Sequence, residues 1–124
     1  MGTLGFRDLR VYRLSEELAD LVWDSTRRWD VFARDTVGKQ VVRSADSVGA
    51  NIAEGSGRGT YQDNRRFVRT ARGSLYETRH WLRRAFRRRL LLDVHVAPLQ
   101  SLLTEPDPTL NAYLNSIGPP TSKR

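Results

Sequence analysis

The sequence predicts an all-α protein: an up-and-down, antiparallel four-helix bundle whose fourth helix is broken by prolines. Three observations predict it. Apolar residues recur at three- and four-residue steps through three long stretches. No stretch shows the strict alternation of a half-buried strand. The connections between periodic stretches are short, which sets neighbouring helices antiparallel. A chain of 124 residues closes one core without disulfides or metal staples. The expected organisation is a short extension over 1–7, the bundle over 8–117 and a disordered tail over 118–124.

The first helix is expected from about Asp8 to Trp29. Val11, Leu14, Leu18, Leu21, Val22 and Trp29 share one face, and Arg13, Glu16, Glu17, Asp20, Asp24 and Arg27 occupy the other. The second is expected from about Ala33 to Glu54, with Val37, Val41, Ser44 or Ala45, Val48 and Ile52 as its apolar stripe. Gly49 interrupts it and marks a kink or a close helix contact. Gly55-Ser56-Gly57-Arg58-Gly59 is the expected stop, because glycine readily takes the left-handed cap conformation.

The third helix is expected from about Thr60 to Leu91, with Asp63 in its first turn, where a negative charge suits the helix dipole. Val68, Ala71, Leu75, Thr78, Leu82 and Ala85 form its core face. The last stretch begins with Asp93 as a cap and runs to about Leu103. Thr104-Glu105-Pro106-Asp107-Pro108 then predicts a break, since an interior proline costs about 3 kcal/mol. Asp107 and Pro108 read as the cap and first position of a final helix carrying Leu110, Tyr113, Leu114 and Ile117.

Composition narrows the function classes. There is no cysteine, so disulfides and thiolate metal sites are excluded and a reducing, cytoplasmic location is expected. No apolar stretch approaches the roughly 20 residues of a membrane span, so no membrane partner is expected. The opening residues show neither a signal peptide nor a myristoylation pattern. The two histidines, His80 and His95, lie 15 apart on different elements and read as surface or capping residues. No nucleophile, base or metal ligand set accompanies them. The expectation is a non-enzyme with no cofactor and no metal.

The net charge of +7 is unevenly placed. Residues 58–89 carry eleven arginines against Asp63 and Glu77, a local net of +9, and the rest of the chain is nearly neutral. That asymmetry points to an acidic partner. Arg65, Arg69, Arg72, Arg79, Arg83 and Arg87, with Tyr76 filling the one seven-residue gap, recur at helical steps along one face. At 1.5 Å per residue this ladder spans about 33 Å. Every basic residue in it is arginine, whose guanidinium fork pairs with phosphate oxygens and stacks on rings. The row is therefore the expected nucleic-acid surface, of low sequence specificity and steep salt dependence. An acidic protein partner is the competing occupant.

A second row, Gln40, Arg43, Ser47, Asn51 and Glu54, runs beside the apolar stripe of the second helix. Buried polar groups need partners. The expectation is that Glu54 or Asn51 bonds to Arg72 or Ser74 of the third helix.

Two stretches carry a resemblance. Asn51-Ile52-Ala53-Glu54-Gly55-Ser56-Gly57-Arg58 and Ala71-Arg72-Gly73-Ser74-Leu75-Tyr76-Glu77 resemble the two signature motifs of a bacterial four-helix-bundle family. That family includes proteins encoded within intervening sequences of large-subunit ribosomal RNA genes. The chain is also similar to the accessory variability protein of diversity-generating retroelements. Phe6-Arg7-Asp8-Leu9-Arg10-Val11-Tyr12, and Gln40 with Arg43-Ser44-Ala45, fit the same pattern, so the resemblance covers about residues 6–92.

The resemblance implies a four-helix bundle assembled as a ring-like homopentamer with a central channel. For the retroelement branch it implies a basic surface for nucleic acid and a reverse transcriptase partner. For most members it implies no assigned activity. Asn51, Glu54, Arg72, Ser74 and Glu77 match the motif positions and are expected to form a polar network. The chain departs from the pattern at Gly49, where a proline is common, and at Pro98, Pro106 and Pro108 in a last helix that is usually continuous. The expected function is thus a non-catalytic, oligomeric nucleic-acid-binding protein, RNA first, that uses the arginine face of the third helix. The alternative is a scaffold that docks an acidic protein such as a reverse transcriptase.

Overall fold

The structure, a computed structural model, describes residues 5–119, and every regular element among them is helical. The outermost parts of the expected extension and tail lie outside the described residues. A 3-10 turn, Phe6–Asp8, leads into α1, Arg10–Thr26. α2, Val31–Ala33, a π-helical turn, Arg34–Gly38, and α3, Lys39–Ser56, follow one another directly. α4 is Tyr61–Arg87, α5 is Asp93–Thr104 and α6 is Pro106–Ser116. The arrangement is that of a four-helix bundle, with α2, the π turn and α3 as the second member and α5 with α6 as the fourth.

α1 ends three residues before its apolar pattern does. Trp29 is nevertheless buried, because it sits in the following turn with its N–H on the Thr26 carbonyl. Asp30 then accepts the Ala33 N–H at 3.0 Å and starts α2. The π turn answers a spacing problem. Ala33, Val37, Val41 and Ala45 are all buried and lie four residues apart, more than the 3.6 residues of an ideal turn. A wider turn at Arg34–Gly38 keeps them on one face.

The core consists of the residues that the periodicity marks. Val11, Leu18 and Val22 of α1, Val41, Val48 and Ile52 of α3, and Val68, Leu75 and Leu82 of α4 are buried together, with Leu99 and Leu110 from the last two helices. Full burial of each such side chain contributes about 1.5–3 kcal/mol. α3 packs most extensively on α4 and then on α1.

Two glycines allow that approach. A Cβ at Gly49 would stand 2.9 Å from Ser15 Oγ and 3.3 Å from Tyr12 Cε1, so this glycine marks a close contact with α1. A Cβ at Gly55 would meet Asn64 Oδ1 at 2.7 Å and Phe67 Cβ at 2.9 Å on α4. Inside the α3–α4 seam, Thr78 Oγ1 lies 2.9 Å from Ser44 Oγ and 2.8 Å from the Ser74 carbonyl, so the buried hydroxyls have partners.

Other helix ends differ from expectation too. α5 starts at Asp93 itself, with Leu92 in the N-cap position and no side-chain cap, so Asp93 is not the cap. α3 stops at Ser56, but Gly57 has φ −89° and ψ −1°, so no left-handed glycine cap closes it. α4 ends at Arg87 instead of Leu91. The Arg89 N–H bonds to the Phe86 carbonyl and the Leu90 N–H to the Ala85 carbonyl, a Schellman pair, with Arg89 left-handed at φ 61°. In the last segment Pro106, not Pro108, opens α6, and Asp107 makes no side-chain cap. Glu105 keeps helical dihedrals, φ −64° and ψ −40°. Pro98 sits within α5 and is exposed, so the carbonyl that lacks its N–H can be solvated.

Candidate nucleic-acid interface

α4 carries the arginine ladder, and its frame is firm. Thr60 accepts the Asp63 N–H at 3.1 Å and caps the helix. The apolar stripe Val68, Ala71, Leu75, Leu82 and Ala85 is buried, which fixes the rotation of the helix.

The ladder divides into two sets. Four of its members face the last helical segment. Arg65 donates to the Ile117 carbonyl at 2.7 Å and Arg72 to Asn111 Oδ1 at 2.8 Å. Tyr76 donates to Asp107 Oδ2 at 3.2 Å. Arg79 donates to the Leu103 carbonyl from Nε at 3.2 Å and from Nη2 at 2.6 Å, and lies 3.6 Å from Asp107 Oδ2. The Arg79 guanidinium also stands 4.9 Å from the Tyr76 ring centre. Arg69, Arg83 and Arg87 are exposed and have no hydrogen-bond or carboxylate partner among the described residues.

The expectation that the whole row is free to serve as one nucleic-acid surface therefore needs correction. Its physical reason is the position of the fourth bundle member. α6 lies against α4 and brings Asp107 and Asn111 to the same face, with the carbonyl groups of Leu103 and Ile117 at its two ends. The sequence offered one signal for this. Asp107 is the only carboxylate between Glu105 and the end of the chain.

The five motif positions do not form one network. Glu54 is exposed and stands 3.9 Å from Arg58 of its own chain turn. Asn51 donates to the Ser47 carbonyl at 2.8 Å. Neither reaches Arg72 or Ser74. The register explains this, because Gly55 lies beside Asn64 and Phe67 while Ser44 lies beside Thr78. Position 54 is therefore more than a turn away from positions 72 and 74.

The cross-helix polar link is instead Arg43–Glu77–Trp81. Arg43 donates to the Glu77 carboxylate and the Trp81 indole N–H reaches it at 3.0 Å. The Trp81 hydrogen bond, with the Arg43 contact, holds the Glu77 carboxyl below its ordinary value of 4.5. Arg43 also reaches Gln40 Oε1 at 3.2 Å, so two members of the expected polar row do belong to this link.

On the α1–α3 edge, partial burial and the nearby Asp20 raise the Asp46 carboxyl above its ordinary value of 3.8. His80 is exposed, edge-on to Trp81 at 4.8 Å, and His95 lies on α5. No helix among the described residues is long and apolar enough to cross a membrane.

A family model described as 23S rRNA-intervening sequence protein matches residues 7–112. No curated protein matches the chain.

Proposed function

The chain belongs to the 23S rRNA-intervening sequence protein family, and on that premise we propose that it is a non-catalytic, oligomeric, cytoplasmic protein that binds nucleic acid, RNA first, through the arginine face of α4. The observation that carries the reading is the triplet Arg69, Arg83 and Arg87. These residues are exposed along one side of a 27-residue helix and have no anionic partner among the described residues. Arg69 and Arg83 are 14 residues apart, about 21 Å along the axis. Exposed guanidinium groups that far apart suit well-separated phosphates of one extended polyanion and not a single small anion.

The architecture that belongs to this reading is an up-and-down antiparallel bundle whose fourth member is interrupted at Pro106 and Pro108. The contacts support it. Ser44 meets Thr78 while Gly55 meets Phe67, and Arg72 meets Asn111 while Arg79 meets Leu103. In each pair, numbers rise on one helix as they fall on the other. Self-association is supported by Phe86, Leu92 and Val94, exposed around the α4–α5 junction. The aromatic residues Tyr12 and Trp81, by contrast, pack against the core. A ring would place several arginine faces on one ligand and raise avidity without new contacts.

Binding of single-stranded RNA should fall steeply as salt rises. Replacing Arg69, Arg83 and Arg87 by Gln should lower affinity across all sequences. It should also reduce the log–log salt slope by about 2, at roughly 0.7 per phosphate contact. Affinity that persists unchanged in several hundred millimolar salt, or in the triple variant, would overturn the reading.

A further inference from the structure

A second feature on the opposite part of the sequence has nothing to do with the ladder. Trp23, in the last turns of α1, is 60% exposed, although tryptophan is a large apolar residue that normally packs. It borders a cleft of about 440 Å³ between the end of α1, the π turn and the start of α3. Gly38 and Val42 contribute to its wall, and Arg27, Arg34, Lys39 and Arg43 also line it. Asp35 is the single carboxylate among the lining residues.

The π turn is part of the device. It is inserted where Arg34 and Lys39 enter the cleft wall, and π turns inside helices recur at functional positions. Gly38 there is buried. The volume falls within the roughly 300–1,000 Å³ of pockets that hold small organic groups.

The chemistry selects the occupant. A largely exposed indole beside a cleft with four cations and one carboxylate is wasted on a carboxylate ligand, which has no flat surface to lay on it. An unpaired base has such a face, and its phosphates need cations on either side. Arg43 is engaged by Glu77, but the other three cations are weakly held. Arg34 stands 3.9 Å from Asp35, Arg27 pairs with Asp24 at 3.3 Å at an exposed position, and Lys39 has no carboxylate partner among the described residues. Exposed pairs of this kind contribute little and yield readily to a phosphate.

We infer that the Trp23 cleft is a single-nucleotide seat for single-stranded RNA, in which an unpaired base stacks on the Trp23 indole and its flanking phosphates lie against Arg34 and Lys39. The inference rests on the nucleic-acid reading above but uses residues from α1, the π turn and α3, none of them on α4. A duplex offers no free base face, so the cleft makes the protein prefer unpaired segments.

The test is fluorescence and anisotropy titration of the full chain with a single-stranded oligouridylate of roughly 12 nucleotides, within the range such grooves cover. Trp29 is buried and Trp81 half-buried, so the solvent-exposed emission belongs mainly to Trp23. Binding should quench that emission. Trp23→Ala should weaken affinity about 5- to 100-fold, the range for loss of one stacked base, and Trp23→Phe should stay within about threefold of the parent. Lys39→Gln should lower affinity and flatten the salt dependence.

Unchanged affinity in Trp23→Ala with a normal circular dichroism spectrum would overturn the cleft alone, most clearly if the Arg69, Arg83 and Arg87 triple variant still lost binding. Loss in Trp23→Ala with an unaffected triple variant would leave the cleft standing and remove the ladder. Equal competition by duplex RNA would overturn the stacking. Binding of polyglutamate with the same dependence on Trp23 would replace RNA by an acidic protein. Failure of the parent protein to bind any RNA would end both readings.

Discussion

Arg79 donates twice to the main-chain carbonyl of Leu103, from Nε at 3.2 Å and from Nη2 at 2.6 Å. The acceptor lies beside a gap in helical hydrogen bonding. Pro106 and Pro108 have no N–H, so the carbonyl groups of Leu102 and Thr104 lack their usual donors four residues on. A guanidinium from α4 thus sits beside the two carbonyl groups that the prolines leave without donors, bonded to the one between them. The same residue that reads from the sequence as a phosphate ligand is a clamp on the fourth member of the bundle.

Arg79→Ala should destabilise the fold by about 1–2 kcal/mol, as expected for two charged hydrogen bonds at a partly exposed position. Protection of amide hydrogens should fall chiefly in α6, and limited proteolysis should begin there. Arg79→Lys should not restore the parent midpoint in urea, because one ammonium cannot reproduce the two-pronged contact.

Gly73 and Gly55 should respond oppositely to alanine. A Cβ at Gly73 meets nothing within 4 Å, in the middle of α4, so Gly73→Ala should stabilise by about 0.5–1 kcal/mol. A Cβ at Gly55 meets Phe67 Cβ at 2.9 Å and the Asn64 carbonyl at 3.1 Å, neither of which is a flexible end. Gly55→Ala should therefore cost about 1–3 kcal/mol by forcing α3 from α4. Thermal midpoints of the two variants moving in the same direction would contradict the seam.

Arg89 is the one non-glycine residue with positive φ among the described residues. It occupies the position where glycine ordinarily closes a helix. Arg89→Gly should raise stability by about 1 kcal/mol, the cost of holding a side chain in the left-handed region. A denaturation curve that shifts to lower urea would show that the Arg89 side chain has a role beyond the cap.

Glu77 links folding to acid. Its folded-state carboxyl titrates below its ordinary value of 4.5, owing first to the Trp81 hydrogen bond and next to Arg43. A depressed carboxylate contributes stability above its unfolded value and loses it as pH falls through the folded one. The urea midpoint should thus drop below pH 4.5 in the parent, and Glu77→Gln should flatten that drop while lowering stability at pH 7. Parallel pH profiles would show that the Arg43–Glu77–Trp81 link is not maintained in solution.

Most of the core was legible residue by residue, although Leu21, Tyr113, Leu114 and Ile117 are only partly buried. Every member of the α4 stripe, Val68, Ala71, Leu75, Thr78, Leu82 and Ala85, is buried, and so are Val37, Val41, Val48 and Ile52. Periodicity carries this information because it depends only on neighbours three and four residues away. The candidate interface was legible only as a list of side chains on one face. Arg65, Arg72, Tyr76 and Arg79 look equivalent to Arg69, Arg83 and Arg87 until α6 is laid beside them.

By itself, the order of residues determined that the chain is helical, most of the stripe that each long helix buries and the concentration of positive charge between positions 58 and 89. Tertiary structure alone decided which arginines meet a carbonyl or carboxylate and which meet solvent. It also decided that Glu77 joins Arg43 and Trp81, while Glu54 stands at the surface. The division is physical. Helix formation and amphipathicity are local properties of the chain, whereas a polar side chain finds its partner on whichever element packs against it, many residues away in sequence.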